Sequence, residues 1–131
     1  MSDKVYLYKI FSGEELKIAE LIQRRRLQML VHSYMYYKMD ESIIDDYTWS
    51  MWAVELVKLQ KDYPEIEKAV PFRDGFESWD GSTGAFLPLD KPWIKKKAYY
   101  LLDKRMEIPQ IVPLPPKPTK KAVLSARKKL F

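Results

Sequence analysis

The pattern that most constrains this chain is a pair of helical periodicities that meet at a corner within residues 32–63. Before the corner, Leu16, Ala19, Ile22, Leu30, Val31 and Tyr34 fall on one helix face, with charges between them. After it, Trp49, Trp52, Ala53, Leu56, Leu59 and Tyr63 repeat the pattern, with Glu55, Lys58 and Lys61 opposite. Residues 40–45 break the phase but leave no room for another element. Two amphipathic helices joined this closely must fold back on each other, so an antiparallel hairpin is expected. The corner holds five of the nine tyrosines and two of the four tryptophans. Rings at that density either fill a small core or form a stacking surface for a flat ligand.

Ser12, Gly13, Glu14 and Glu15 read as the start of the first helix, with Ser12 as N-cap and Glu15 closing a capping box. The spacing carries that helix to about Met39. Arg24, Arg25 and Arg26 lie mid-helix and fan over about 200° of its surface, which reads as a solvated face rather than a phosphate-contacting one. Asp45 is placed to cap the second helix, with Asp46 in its first turn; capping, not paired-carboxylate catalysis, is their expected work. Tyr63, Pro64 and Glu65 end this helix and open one more turn through Val70.

Residues 71–90 hold Gly75, Gly81 and Gly84 and read as a loop pinned by Phe72, Phe76, Trp79 and Phe86. The glycines of residues 79–84 lack the following Lys-Ser/Thr and the preceding strand of a phosphate-binding loop. Pro92 suits the first position of a third helix capped by Asp90 or Lys91. Trp93, Ala98, Leu101 and Leu102 are expected inward and Lys95, Lys96 and Lys97 outward, ending near Met106. Residues 5–11 alternate like a strand but have no second strand to pair with, so an arm laid on the body is expected. Residues 107–118 carry five of the nine prolines and are expected extended, and the last thirteen residues are expected to form a short basic amphipathic helix. The expected fold is therefore all-α. It is an antiparallel helical hairpin plus a third helix, with an aromatic loop and extended N- and C-terminal arms. The helical domain covers residues 1–106, and a Pro-rich linker and basic tail cover 107–131.

Composition narrows the chemistry. With no cysteine, disulfides, thiolate catalysis and cysteine-ligated zinc are excluded. The one histidine, His32, lies inside a helix with no nucleophile elbow beside it and is expected to pack. No apolar run approaches a bilayer span, and the N-terminal residues show no secretory pattern, so a cytoplasmic protein without membrane or metal partners is expected. The net charge of +5 is uneven: residues 105–131 hold seven basic side chains and one acid. Lys117, Lys120, Lys121, Arg127, Lys128 and Lys129 are the candidate nucleic-acid contacts, an acidic protein face being the other natural partner.

The corner also carries chemistry of its own. Tyr34, Tyr36 and Tyr37 close the first helix, while Asp46 and Trp49 open the second. Stacked rings beside a carboxylate suit a heterocycle whose ribose hydroxyls donate to the acid, and they equally suit plain packing. The run His32, Tyr34, Tyr36, Tyr37, Asp40, Ile44, Asp46 and Trp49, followed by Glu55-Leu56 and Tyr63-Pro64-Glu65, resembles the small N-terminal Ia domain of NAD-dependent DNA ligases. The resemblance covers residues 16–65. It implies a helical hairpin that grips the nicotinamide mononucleotide (NMN) half of NAD. Tyr36 and Tyr37 would lie on the nicotinamide, Asp46 would be an acid of the site, and Trp49 would stand at a position of tyrosine. Ser50 takes the place of a second aspartate. The nucleotidyltransferase domain and its Lys-x-Asp-Gly motif are absent from the sequence, so catalysis is not expected. The chain looks like the small ligase-related proteins of phages and prophages of Gram-positive hosts.

The expected function is a non-catalytic, ligase-related accessory protein, phage-encoded, that acts in DNA metabolism by binding nucleic acid or a protein partner. Two alternatives stand beside it. One is an NMN- or NAD-binding module. The other is an interaction protein or inhibitor of a host enzyme, with Trp52 or Trp93 as anchors and Pro113, Pro115 and Pro116 as a polyproline ligand.

Overall fold

A computed structural model describes residues 7–107. Its five helices are α1 (Leu7–Ile10), α2 (Gly13–Lys38), α3 (Asp46–Asp62), α4 (Pro64–Ala69) and α5 (Pro92–Glu107), and no strand occurs among the described residues. The fold is all-α. At 26 residues α2 is about 39 Å long and serves as the axis on which all four other helices pack.

The hairpin is antiparallel, as expected. Arg25 meets Glu55, His32 meets Trp52 and Arg26 meets Gln60, so residues rising along α2 face residues falling along α3. The turn between them depends on Asp40, whose φ of 54° is a left-handed conformation that a short polar side chain tolerates. Glu41 N–H then donates to the Met35 carbonyl at 3.0 Å. Asp45 caps α3 by accepting from Thr48 N–H at 2.7 Å. Its hydrogen bonds with Thr48 hold the carboxyl below the usual aspartate range.

The core runs from Leu7 to Leu102. Ala19, Ile22, Met29 and Met35 of α2 meet Trp49, Ala53 and Leu56 of α3, while Ile94 and Ala98 of α5 close the far side. The segment between α4 and α5 belongs to this core. Phe76 is completely buried, and Leu87 and Leu89 lie nearly so.

Several local expectations are corrected. The N-terminal arm is not extended from residue 7 onward: Leu7–Ile10 make one helical turn, and Leu7 is 2% exposed. The capping box at Ser12 does not form, because Ser12 makes no side-chain cap hydrogen bond. Gly13 follows at φ 58°, which turns the chain out of the right-handed helical path at the point where the box would close. Phe86 does not pin the loop but stands 90% exposed, and its apolar neighbours Leu87 and Leu89 do that work.

The arginine triplet is not a solvated face. Arg24 is exposed, Arg25 is half-buried on Glu55, and Arg26 is fully buried. The Arg26 guanidinium donates to Gln60 Oε1 at 2.9 Å, to the Val70 and Pro71 carbonyls at 2.9 and 3.2 Å, and to Glu67 Oε2 at 2.9 Å. Consecutive positions about 100° apart necessarily point one of the three inward, and α4 supplies the acid that receives it. Burial still pulls Arg26 down to about 10, which leaves it charged near neutrality.

Candidate functional site

Four side chains were expected at the corner. Tyr36 and Tyr37 come from the last turns of α2, Asp46 and Trp49 from the first turns of α3. The Tyr36 and Tyr37 rings meet edge to face with centroids 4.7 Å apart. Tyr36 is 4% exposed and Trp49 1%. Residues 79–84 lie against Tyr37 and Trp49. Tyr37 Oη and Thr83 Oγ1 are 2.8 Å apart, Trp79 packs edge-on against Trp49 at 6.1 Å, and Trp79 Nε1 donates to the Thr83 carbonyl at 2.7 Å. Gly84 fits against α2 only because it lacks a side chain: a Cβ there would collide with Ser33 Oγ and lie 2.7 Å from Ser33 Cβ. The space a stacked heterocycle would need at Tyr36 and Trp49 is thus filled by the chain itself, while Asp46 remains partly exposed.

A second constellation lies on the other side of α2. Trp93, Lys96, Lys97, Tyr100, Leu101 and Lys104 follow the i, i+3, i+4, i+7, i+8, i+11 spacing of one α5 stripe. This stripe and α2 enclose a groove of about 600 Å³. Leu27, Val31 and Leu101 line it with aliphatic surface, Phe72, Trp93 and Tyr100 with rings, and Lys96 and Lys97 with charge. The ammonium groups of Lys97 and Lys104 stand 5.1 and 5.5 Å from the Tyr100 ring centre, within cation–π range. Phe72 packs on Trp93 at 5.2 Å from a backbone φ of 67°, a strained conformation for a bulky residue and one that clusters at ligand sites.

His32 also lines the groove, and its ring leans on Trp52 at 5.7 Å. Its Nδ1 is buried without a hydrogen-bond partner. Desolvation lowers its pKa to about 4, so the imidazole is neutral at pH 7 and contributes shape rather than charge.

The sequence reading turned Trp93 inward, and it is half-buried and packed against the core while also lining this groove. The signal was present in the alternation of rings and lysines along one face of α5. Phe72 carried no such signal, because its position follows from a left-handed backbone. The candidate tail contacts Lys117, Lys120, Lys121, Arg127, Lys128 and Lys129, and the polyproline segment with Pro113, Pro115 and Pro116, lie outside the described residues. Among the described residues, no group of three or more His, Asp or Glu is arranged to hold a metal ion, and no helix is long and apolar enough to cross a membrane. No protein-family model, curated protein or solved structure matches this chain.

Proposed function

We propose that this chain is a non-catalytic nucleic-acid-binding protein, a ligase-related accessory factor in DNA metabolism, whose contact face is built from α2 and α5. The observation that carries the proposal is charge segregation. α5 holds five basic and two acidic side chains, whereas residues 39–91, between α2 and α5, hold five basic and twelve acidic. On α5, Lys95, Lys96, Lys97 and Lys104 are exposed, and Tyr99 and Tyr100 lie about half-open among them. A row of ammonium groups attracts phosphates irrespective of sequence, and exposed rings add base stacking. The tail, outside the described residues, is also basic in sequence. The kinship with ligases rests on the sequence resemblance alone, and the lack of an adenylation-lysine motif underlies the non-catalytic reading.

The test is fluorescence anisotropy with labelled single-stranded and duplex DNA at low salt, comparing wild type with a Lys95→Gln, Lys96→Gln, Lys97→Gln triple variant. Wild type should bind and the triple variant should bind several-fold more weakly. Absence of binding by wild type, or equal binding by the two, rejects the proposal.

A second reading, docking of a protein partner, draws on Tyr47, Met51 and Val54. These form an exposed apolar stripe at i, i+4, i+7 on the outer face of α3. Met51→Gln would weaken such docking while leaving DNA affinity unchanged.

A further inference from the structure

We propose that the groove between α2 and α5 receives one unpaired base of a single-stranded nucleic acid, with Lys96 and Lys97 on the adjoining phosphates. The inference rests on the nucleic-acid reading above and names the form of nucleic acid that the face selects. At about 600 Å³ the groove falls within the size range of small-ligand sites. Its rings and aliphatic floor suit a planar base, which stacks on aromatic faces whatever its sequence.

Its charges have one sign. Lys96 and Lys97 are exposed on the rim, and none of the residues lining the groove is acidic. An anionic ligand with a flat apolar body is the complement of such a site, and a nucleotide has that chemistry. Gln28, whose side-chain carbonyl accepts from Arg25 Nη1 at 2.7 Å, leaves amide N–H groups to donate to a base edge.

Two considerations favour a strand over the alternatives. In a duplex the bases are paired and stacked, so it offers the lysines its phosphates and offers the rings nothing; only an unpaired base can enter. A free mononucleotide would engage Lys96 and Lys97 but not the cation beyond them. Lys104 stands beside Tyr100 one turn further on, where a neighbouring phosphate of a strand would pass.

The experiment uses the full chain with a labelled oligothymidylate, a duplex of equal length and thymidine monophosphate. Tyr100 is 51% exposed, so Tyr100→Ala removes a stacking ring without opening the core. It should weaken single-strand binding about 5- to 150-fold, the range measured for one base–aromatic stack, and weaken duplex binding far less. A strand bearing 5-iodouracil should cross-link to Trp93 or Tyr100. Equal affinity for single strand and duplex, no effect of Tyr100→Ala, or cross-links only elsewhere would overturn the groove while the broader proposal stood. Monophosphate binding as tight as the strand would overturn the choice of a strand. If the chain binds no nucleic acid at all, the broader proposal and the groove both fail.

Discussion

Arg26→Met should destabilise the protein by about 3 kcal/mol, which makes one buried side chain the mechanical link between the hairpin and everything after it. The guanidinium joins α2 to Gln60 near the end of α3, to Glu67 on α4 and to the Val70 and Pro71 carbonyls beyond it. Its side chain is 0% exposed and that of Glu67 8%. Removing one member of a buried ion pair costs about 3–5 kcal/mol, because the partner is left charged in a poorly solvated place. Here Arg73 also reaches Glu67 at 3.1 Å and keeps part of that charge matched, which sets the expectation at the lower end. At about 4–8 °C per kcal/mol for a domain of this size, Tm should fall by about 12–24 °C. Methionine preserves helix propensity and much of the aliphatic volume, so the loss reports the polar network. Urea unfolding followed by tryptophan fluorescence would measure it. An Arg26→Met, Glu67→Gln double variant should lose less than the sum of the singles, with a coupling of about 0.5–3 kcal/mol. A single-variant loss below about 1 kcal/mol, the worth of one ordinary hydrogen bond, would refute the network.

Three further outcomes are expected. Gly84→Ala should cost about 1–3 kcal/mol by forcing residues 79–84 off Ser33 and Trp49, and an unchanged melting curve would contradict that close approach. His32 binds its proton near pH 6.5 when unfolded but near 4 when folded, so the unfolded chain takes up the extra proton as pH falls through that window. Stability should therefore decline from about pH 6.5 down to about pH 4, by up to about 3 kcal/mol, and His32→Gln should flatten the slope; parallel slopes would refute the buried neutral ring. Calorimetry with millimolar NMN should show no saturable heat, because Tyr36 and Trp49 are buried and residues 79–84 contact Tyr37 and Trp49; heat abolished by Asp46→Ala would contradict this packing.

Much of the fold was legible because it depends on local signals. Asp45 as a cap, Pro64 and Pro92 at helix starts and the break at residues 40–45 each act within a turn of their own position, and the helix bounds follow from them. What was illegible depends on partners distant in sequence or on backbone conformation. Nothing near Arg26 announces Glu67, 41 residues away. Residues 5–11 alternate like a strand, yet Leu7–Ile10 form a helical turn that packs on α2 with Leu7 buried, a contact with no local signal. The corner rings lie in the last turns of α2 and the first turns of α3, where the periodicity put them, but composition cannot tell a stacked ligand from a stacked tryptophan. Trp79 was legible as a ring that pins its loop, but nothing marked Trp49 as its partner or Thr83 as the residue that meets Tyr37. The groove needed both the α5 stripe, which was legible, and Phe72 at φ 67°, which was not.

The central claim, that the α5 lysines hold phosphates, is tested most directly by the salt dependence of single-strand binding. For each phosphate neutralised on a single strand, log K falls with a slope of about 0.7 against log salt. Replacing Lys95, Lys96 and Lys97 with glutamine should reduce the steepness of the full chain's slope by up to about 2. A slope identical in wild type and variant would show that these lysines do not meet the backbone, and the account of α5 as the contact face would be wrong.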